Sequence, residues 1–206
     1  LPALHRQGNT RVGVFRPVET DTTFGKKLYL LIPHKTLTAF DKQETILTKD
    51  KTYLENGKDY LDAVHSEPPY KRMQIILLKA FSGMPLAAKP DLKTTVNERV
   101  YELRSYEGHT EKIYRNKVDM FNGGDEVGLF KRLGFNAVFY GEVLSGSNMP
   151  NLMYMTTFEN QASRDAHWKA FVDDPQWKTL SSMQQYKNNV SRIQIFFLRP
   201  TTYSDL

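Results

Sequence analysis

The sequence predicts an α+β protein made of two ferredoxin-like repeats, each with the order β-α-β-β-α-β, whose two antiparallel sheets cover each other and close into a barrel. The first observation behind this prediction is a repeated octapeptide. Residues 72–79 (RMQIILLK) return at residues 192–199 (RIQIFFLR) with four identical positions. Both copies are β-branched and aliphatic and lie close to prolines, which is typical of strands.

The flanking sequence repeats as well, with an offset that falls along the chain. Residues 4–8 (LHRQG) match residues 130–134 (FKRLG) at an offset of 126, and Asp50 matches Asp174 at an offset of 124. The octapeptides themselves are 120 residues apart, so the first copy carries six more residues than the second. Loops absorb insertions at little cost, which favours an internal duplication over chance similarity.

Composition is that of an ordinary soluble globular protein. The 206 residues suit two units of about 100 residues, with 40% hydrophobic and 25% charged residues. Apolar runs are only a handful of residues long, far short of the 18 or so that a membrane span needs, so no membrane span is expected.

Charge and cysteine content exclude several functions. The net charge of +5 is spread along the chain rather than gathered in a basic stripe, so we expect no nucleic-acid partner. The absence of cysteine excludes disulfides, thiolate nucleophiles and cysteine-type zinc sites. The compartment stays open: the protein is either exported after N-terminal processing or cytoplasmic.

The first repeat is expected at residues 1–81, in truncated form. Its strands and helices are predicted at residues 11–18 (strand), 27–32 (strand), 36–48 (helix), 50–64 (interrupted helix) and 72–79 (strand). The opening strand and most of the first helix, about 30 residues by comparison with the second repeat, have no counterpart. We therefore expect a truncated or processed N-terminus, since a missing strand leaves a sheet edge unpaired.

A polar, aperiodic linker is expected at residues 82–97, and a complete second repeat at residues 98–206. Its elements are predicted at residues 99–106 (strand), 111–133 (helix, loosened at 122–124), 136–144 (strand), 152–158 (strand), a helix capped by Ser163, and 192–199 (strand). An antiparallel sheet with both helices on one face leaves its other face bare, so two such sheets would shelter each other.

Several of these segments resemble the NIPSNAP family. The resemblance lies in residues 101–106 (YELRSY), the helix that ends at Gly134, Trp168 with the following Asp174-Pro175, and the closing strand that starts at residue 192. It covers about residues 97–200, whereas the first half matches loosely. It implies membership of the dimeric α/β-barrel superfamily, but no agreed catalytic residues. The trafficking and stress roles of the family imply a binding or scaffold function.

Alternation along the first strand of the second repeat places Glu102, Arg104 and Tyr106 on one face. If the opposite face, with Tyr101 and Leu103, packs under the helices, this charged set looks into the barrel. The same reasoning adds four candidates for a polar ligand pocket: Tyr140, Glu142, Tyr154 and Gln194. The alternative is a structural Glu–Arg network or a polar sheet surface, since buried charges need partners.

The five histidines are at least 29 residues apart in sequence, which excludes a local metal motif. His109, in a loop between a strand and a helix, is the histidine with the best claim to a function. No metal site and no cofactor is predicted. The Gly123-Gly124 segment interrupts a helix and is therefore not a dinucleotide-binding fingerprint.

Two functions remain open at this point. The first is a NIPSNAP-like binding or scaffold module with a polar-lined barrel interior. The second is a cofactor-independent oxygenase or isomerase for a small aromatic or quinone-like substrate, with Glu102 or His109 as the base and Arg104 stabilising an anion. Haem handling ranks third. The expected partners are a small-molecule ligand and further copies of the chain in a homo-oligomer.

Overall fold

Seven strands form one antiparallel sheet in the computed structural model, which describes all of residues 1–206. The strands are β1 (Gly13–Pro17), β2 (Tyr29–Leu31), β3 (Leu77–Ala80), β4 (Val100–Glu107), β5 (Phe139–Ser145), β6 (Asn151–Phe158) and β7 (Arg192–Pro200). Their order across the sheet is β2-β1-β7-β4-β6-β5-β3.

Eight α-helices accompany the sheet. They are α1 (Pro2–Arg6), α2 (Leu37–Leu47), α3 (Lys51–Asn56), α4 (Lys58–Leu61), α5 (Glu111–Asn122), α6 (Glu126–Arg132), α7 (Gln161–Asp173) and α8 (Pro175–Ser182). None of the helices combines the length and the apolar character that crossing a bilayer requires.

The C-terminal half forms a ferredoxin-like unit with the strand order β7-β4-β6-β5. β4 lies at its centre and pairs over its whole length with β6, from Val100 opposite Phe158 to Glu107 opposite Asn151. On its other side β4 pairs with β7. Its backbone donors and acceptors are therefore satisfied on both sides.

The strands of the N-terminal half attach to both edges of this unit. β1 pairs with β7 and carries β2 on its outer side, whereas β3 pairs with β5 at the opposite edge. The expectation of two separate sheets face to face is therefore replaced by one continuous sheet. This sheet curls into a half-barrel around an apolar cluster to which both edges contribute, with Leu31 from β2 and Leu78 from β3.

Two apolar layers cover the two faces of the sheet. On the outer face, helices α5 to α8 pack on an aromatic core that includes Tyr106, Phe121, Phe130 and Tyr154. The inner face of the half-barrel, which we call the inner face throughout, carries a second cluster built around Leu103 and its neighbours. β4 and β6 are consequently buried on both sides.

Two local predictions differ from the structure. In the first octapeptide only residues 77–79 lie in a strand, because residues 72–76 lie beyond the paired part of β5 and make no ladder. The second helix of the second repeat is capped by Asn160, whose Oδ1 accepts from the Ser163 backbone N–H at 2.9 Å. Ser163 is therefore inside the helix, and was wrongly predicted as its cap.

Candidate functional site

The orientation predicted for the first strand of the second repeat is reversed in the structure. Glu102, Arg104 and Tyr106 face the helices, whereas Tyr101 and Leu103 face the interior of the half-barrel. The predicted parity is right, but the wrong face was assigned to the barrel. Both faces of β4 are buried, so hydrophobic side chains on one face did not identify the helix side.

Glu102 is fully buried and accepts hydrogen bonds from three side chains. Arg104 donates from Nε to Oε1 at 2.6 Å. Arg164 on α7 donates from Nε to Oε2 at 2.7 Å and from Nη2 to Oε1 at 3.0 Å. Trp168, one turn further along α7, donates from Nε1 to Oε2 at 2.9 Å. The carboxylate is thereby tied to the helix that covers it.

Arg104 continues the network toward the middle of the sheet. Its guanidinium lies 3.7 Å from the centre of the Trp168 ring, a cation–π contact in a site shielded from water. Its Nη1 donates to the Tyr106 hydroxyl at 3.0 Å, and the Tyr106 and Tyr154 hydroxyls are 2.8 Å apart. We call Glu102, Arg104, Tyr106, Tyr154, Arg164 and Trp168 the Glu102 network.

The electrostatics of the network favour charged Glu102 and Arg104. Burial by itself raises the pKa of Glu102, but the hydrogen bond from Arg164 and the charges of Arg104 and Arg164 outweigh burial and bring its pKa below the ordinary value. Burial lowers the pKa of Arg104, but the facing Tyr154, Tyr106 and Glu102 raise it overall. Burial also raises the pKa of Tyr154.

Tyr140 and Glu142 lie on this outer face as well, but outside the Glu102 network. The Tyr140 ring is buried and stacks against Phe81 and Phe130. Glu142 accepts a long hydrogen bond of 3.3 Å from the Tyr114 hydroxyl at the rim of the sheet. Neither residue faces the inside of the half-barrel.

His109 is exposed in the loop between β4 and α5. It lies two residues past the end of β4, whereas Glu102 lies five residues inside that end, which is roughly 16 Å along the strand at about 3.3 Å per residue. The structure does not bring these two proposed bases together. It also assembles no group of three His, Asp or Glu side chains with the spacing of a metal site.

Gln194 is the one predicted pocket residue on the inner face. It lies opposite Ser105 on β4, and its Nε2 donates to Glu107 Oε1 at 2.7 Å. Asn151 on β6 donates from Nδ2 to Ser105 Oγ at 2.8 Å. These four residues form a polar cluster at one end of the inner face, which we call the polar end.

Asn151 was missed in the sequence. It is 2% exposed, and its Oδ1 has no hydrogen-bond partner. It lies directly opposite Glu107 at the end of β4, as the antiparallel register of β4 and β6 requires. The signal available in the sequence was an Asn at the start of a strand that is otherwise apolar.

The remainder of the inner face is apolar and only partly covered. Its best buried side chains include Tyr101, Val138 and Leu198. A second set is half-buried and comes from four strands or their flanks: Tyr29, Leu31, Ile76, Leu78, Phe139 and Phe196. At the end away from the polar cluster, Phe15 packs on Tyr101 with ring centres 5.1 Å apart.

Comparisons with known proteins agree with the fold. A family model described as NIPSNAP matches residues 101–205. A comparison with curated proteins found no match. A solved structure of a proposed monooxygenase from Lactobacillus acidophilus NCFM is similar over 96% of this chain and 82% of its own, with 12% identity and a TM-score of 0.57.

Two further solved structures are similar. A proposed monooxygenase from Fusobacterium nucleatum matches over 92% of this chain and 74% of its own, at 10% identity and a TM-score of 0.55. A NIPSNAP family protein from Agrobacterium tumefaciens matches over 53% of this chain and 99% of its own, at 16% identity and a TM-score of 0.46. Because the family model spans just over half of the 206 residues, the chain belongs to the NIPSNAP family.

Proposed function

We propose that this chain is a non-catalytic binding module that holds a small aromatic molecule on the inner face of the half-barrel. The observation that carries the proposal is the contrast between the two faces. The Glu102 network is sealed under α7, whereas the inner face presents half-buried apolar side chains next to a buried amide oxygen without a partner. Buried polar atoms without partners are rare and call for an explanation.

The side chains of the inner face indicate the chemistry of the ligand. The half-buried Phe139 and Phe196 offer an apolar surface for a ring, together with the buried Leu103 and Met153 of the same cluster, and Met153 adds a polarisable sulfur that contacts aromatic rings favourably. The free Oδ1 of Asn151 is an acceptor, so the ligand would donate a hydrogen bond there. A phenol or a hydroquinone combines both features.

The catalytic alternative, an oxygenase or isomerase with Glu102 as base, finds no support in this geometry. A carboxylate that accepts from two guanidinium groups and an indole, with a lowered pKa, is a poor proton acceptor. Arg104 is occupied by the same network and does not face an open site. The names of two structural neighbours point to monooxygenases, but at 10 and 12% identity they bear on the fold alone.

The tandem architecture is part of this proposal, with units at residues 1–81 and 98–206 joined by a linker at 82–97. Matching ion pairs support it. Arg6 contacts Asp50 at 2.7 Å in the first unit, and Arg132 contacts Asp174 at 2.9 Å in the second. The alignment of the two copies places these four residues on each other.

Matching helix ends support it as well. Gly8 follows α1 at a φ of 82°, and Gly134 follows α6 at a φ of 74°. Both aspartates of the ion pairs also cap a helix, since Asp50 accepts from the Tyr53 N–H and Asp174 from the Gln176 N–H.

A homo-oligomer stays a prediction, to be measured by light scattering coupled to gel filtration.

Binding of 2-naphthol and of naphthalene, measured by isothermal titration or ligand fluorescence, tests the proposed function. We expect 2-naphthol to bind and Leu103→Arg to abolish binding, because the new side chain occupies the apolar surface. Asn151→Leu should weaken the binding of 2-naphthol by roughly tenfold, the contribution of about one hydrogen bond, and should leave the affinity for naphthalene unchanged. Val172→Arg, on the exposed side of α7, is the control for an added surface charge.

A variant of the Glu102 network tests on which face of the sheet the ligand binds. The double variant Glu102→Gln with Arg104→Met should bind 2-naphthol like the unmodified chain, provided that circular dichroism shows it folded. Loss of binding in this folded variant, with binding retained in Leu103→Arg, would place the ligand on the outer face and overturn the proposal.

A further inference from the structure

Both edge strands of the sheet have unpaired backbone hydrogen-bonding groups on their outer sides, and one additional strand could pair with both. β2 pairs only with β1, and β3 pairs only with β5. Every neighbouring pair in the seven-stranded sheet is antiparallel. Because directions alternate over an odd number of strands, β2 and β3 run in the same direction. One strand of opposite direction would therefore be antiparallel to both edges, just as β4 is to β6 and β7.

Outer-face side chains at the β2 edge are exposed, although their counterparts in the second unit are buried. Leu28 precedes β2 and is 54% exposed, and Leu30 lies within β2 and is 57% exposed. The internal alignment matches them to Leu152 and Tyr154, both 0% exposed under α5 and α6. The difference lies in the covering layer, because the first unit has no counterpart of α5 and only α1 as the counterpart of the end of α6.

The helices of the first unit share this exposure. Helices α2, α3 and α4 contain no buried residue. With β2 they form a continuous segment whose apolar side chains reach solvent, which we call the open patch: Leu28, Leu30, Leu37, Ile46, Leu54 and Leu61. Exposed apolar side chains that lie next to each other mark interaction surfaces, and Leu28 and Leu30, two residues apart on one face of the β2 segment, meet that condition.

We propose that the open edges and the open patch together bind one polypeptide segment made of a strand followed by an amphipathic helix, with the pattern of residues 99–133 of this chain. The strand lies between β2 and β3 and completes their backbone hydrogen bonds, a form of strand addition. The helix packs on Leu28 and Leu30 as α5 packs on Tyr154. The inference rests on the tandem architecture proposed above and is independent of ligand binding to the inner face.

The internal alignment supplies a direct probe. Residue 1 corresponds to residue 127, so a copy of residues 98–126 fused ahead of Leu1 delivers a strand and a helix that run into α1. We expect hydrogen exchange at residues 29–31 and 77–80 to slow by tenfold or more, and the dye 8-anilinonaphthalene-1-sulfonate to bind less. A matched fusion with Tyr101→Pro, Leu103→Pro and Ser105→Pro in the added copy should do neither, because proline cannot donate to a ladder.

Equal exchange in the fusion and in its proline control would overturn the proposal. If the fusion fails to fold, a separate peptide of residues 98–133 added to the unmodified chain gives the same readout, and unchanged exchange at both edges would again overturn it. Concentration-dependent dimerisation of the unmodified chain, with the same edges protected, would assign the surface to a second copy instead. Neither result depends on 2-naphthol, so this proposal and the proposed function fail separately.

Discussion

The Glu102 network explains how a carboxylate survives at the centre of an apolar layer. Taking a single charge out of water costs several kcal/mol, and a buried pair is favourable only when its geometry is good and its other hydrogen-bonding atoms are satisfied. Glu102 meets both conditions, with Arg104, Arg164 and Trp168 as donors. The network therefore acts as a specific link between β4 and α7.

Removing one arginine of the network should lower the stability of the protein, because the charge of Glu102 then has fewer partners. We expect Arg104→Met to lower the free energy of unfolding by about 3 kcal/mol, because Glu102 then keeps only Arg164 and Trp168. Adding Glu102→Gln should recover more than half of that loss, since no unpaired charge remains. Urea unfolding followed by tryptophan fluorescence measures both losses, and a loss in the double variant equal to the sum of the two single losses would show that the pair contributes no coupling.

The lowered pKa of Glu102 predicts a loss of stability in acid. The unfolded chain binds this proton at an ordinary pKa near 4.5, whereas the folded chain binds it only at lower pH. The stabilisation is therefore complete above pH 4.5 and disappears as the pH falls through the folded pKa. Urea midpoints of the unmodified chain should fall more steeply below pH 4.5 than those of Glu102→Gln, and parallel curves would contradict the assignment.

The sequence predicts which residues of β4 share a face, but not which face the helices cover. Strand alternation correctly groups Glu102, Arg104 and Tyr106, because side chains alternate strictly along a strand. The barrel was assigned to the wrong face on the premise that the apolar side of the strand, with Tyr101 and Leu103, packs under the helices. A better signal was on α7, where Arg164 and Trp168 lie four residues apart and so project from one helix face toward a carboxylate.

The helices of the N-terminal and C-terminal halves differ in how many side chains they bury. α6 buries Phe130 in the aromatic core, with ring centres 4.8 Å from Phe171 and 4.5 Å from Phe135. α3, which corresponds in sequence to α8, buries nothing. Similar local patterns of caps and apolar spacing thus yield helices in both halves of the chain, whereas the burial of these helices depends on a covering layer that only the C-terminal half has.

Two alanine substitutions measure this difference between helices. Phe130→Ala should lower the free energy of unfolding by about 3–5 kcal/mol, as expected for a fully buried aromatic side chain. Leu54→Ala, on the exposed face of α3, should change stability by less than about 0.5 kcal/mol. Thermal and urea unfolding measure both values. A large cost for Leu54→Ala in the unmodified chain would mean that the open patch is already covered in solution.

Element prediction succeeded where local signals were enough. Helices α2 to α4 and the break between α5 and α6 follow from caps, glycines and apolar spacing, and they lie within a few residues of the expected bounds. The first octapeptide did not become a full strand, although its twin did. β7 has partners on both sides, whereas residues 72–76 lie at an edge without one, and pairing is not encoded in the octapeptide itself.

At the scale of the whole molecule, the half-barrel is stabilised unevenly. The centre of the sheet, β4 and β6, is buried on both faces and paired on both sides. The outer edge, β2, is three residues long and has helices beside it that bury no side chain. Local opening should therefore be least costly in the first unit, since few buried contacts are lost there.

Hydrogen exchange resolved along the chain tests this gradient. We expect residues 29–31 and 37–61 to exchange at least about a hundredfold faster than residues 100–107 and 151–158, because the first set opens locally and the second only in global unfolding. Low concentrations of urea should leave the fast set unchanged, since local opening exposes little surface, and should accelerate the slow set. Uniform protection would instead require a contact that shields the first unit, and slower exchange at higher protein concentration would identify a second copy of the chain as its source.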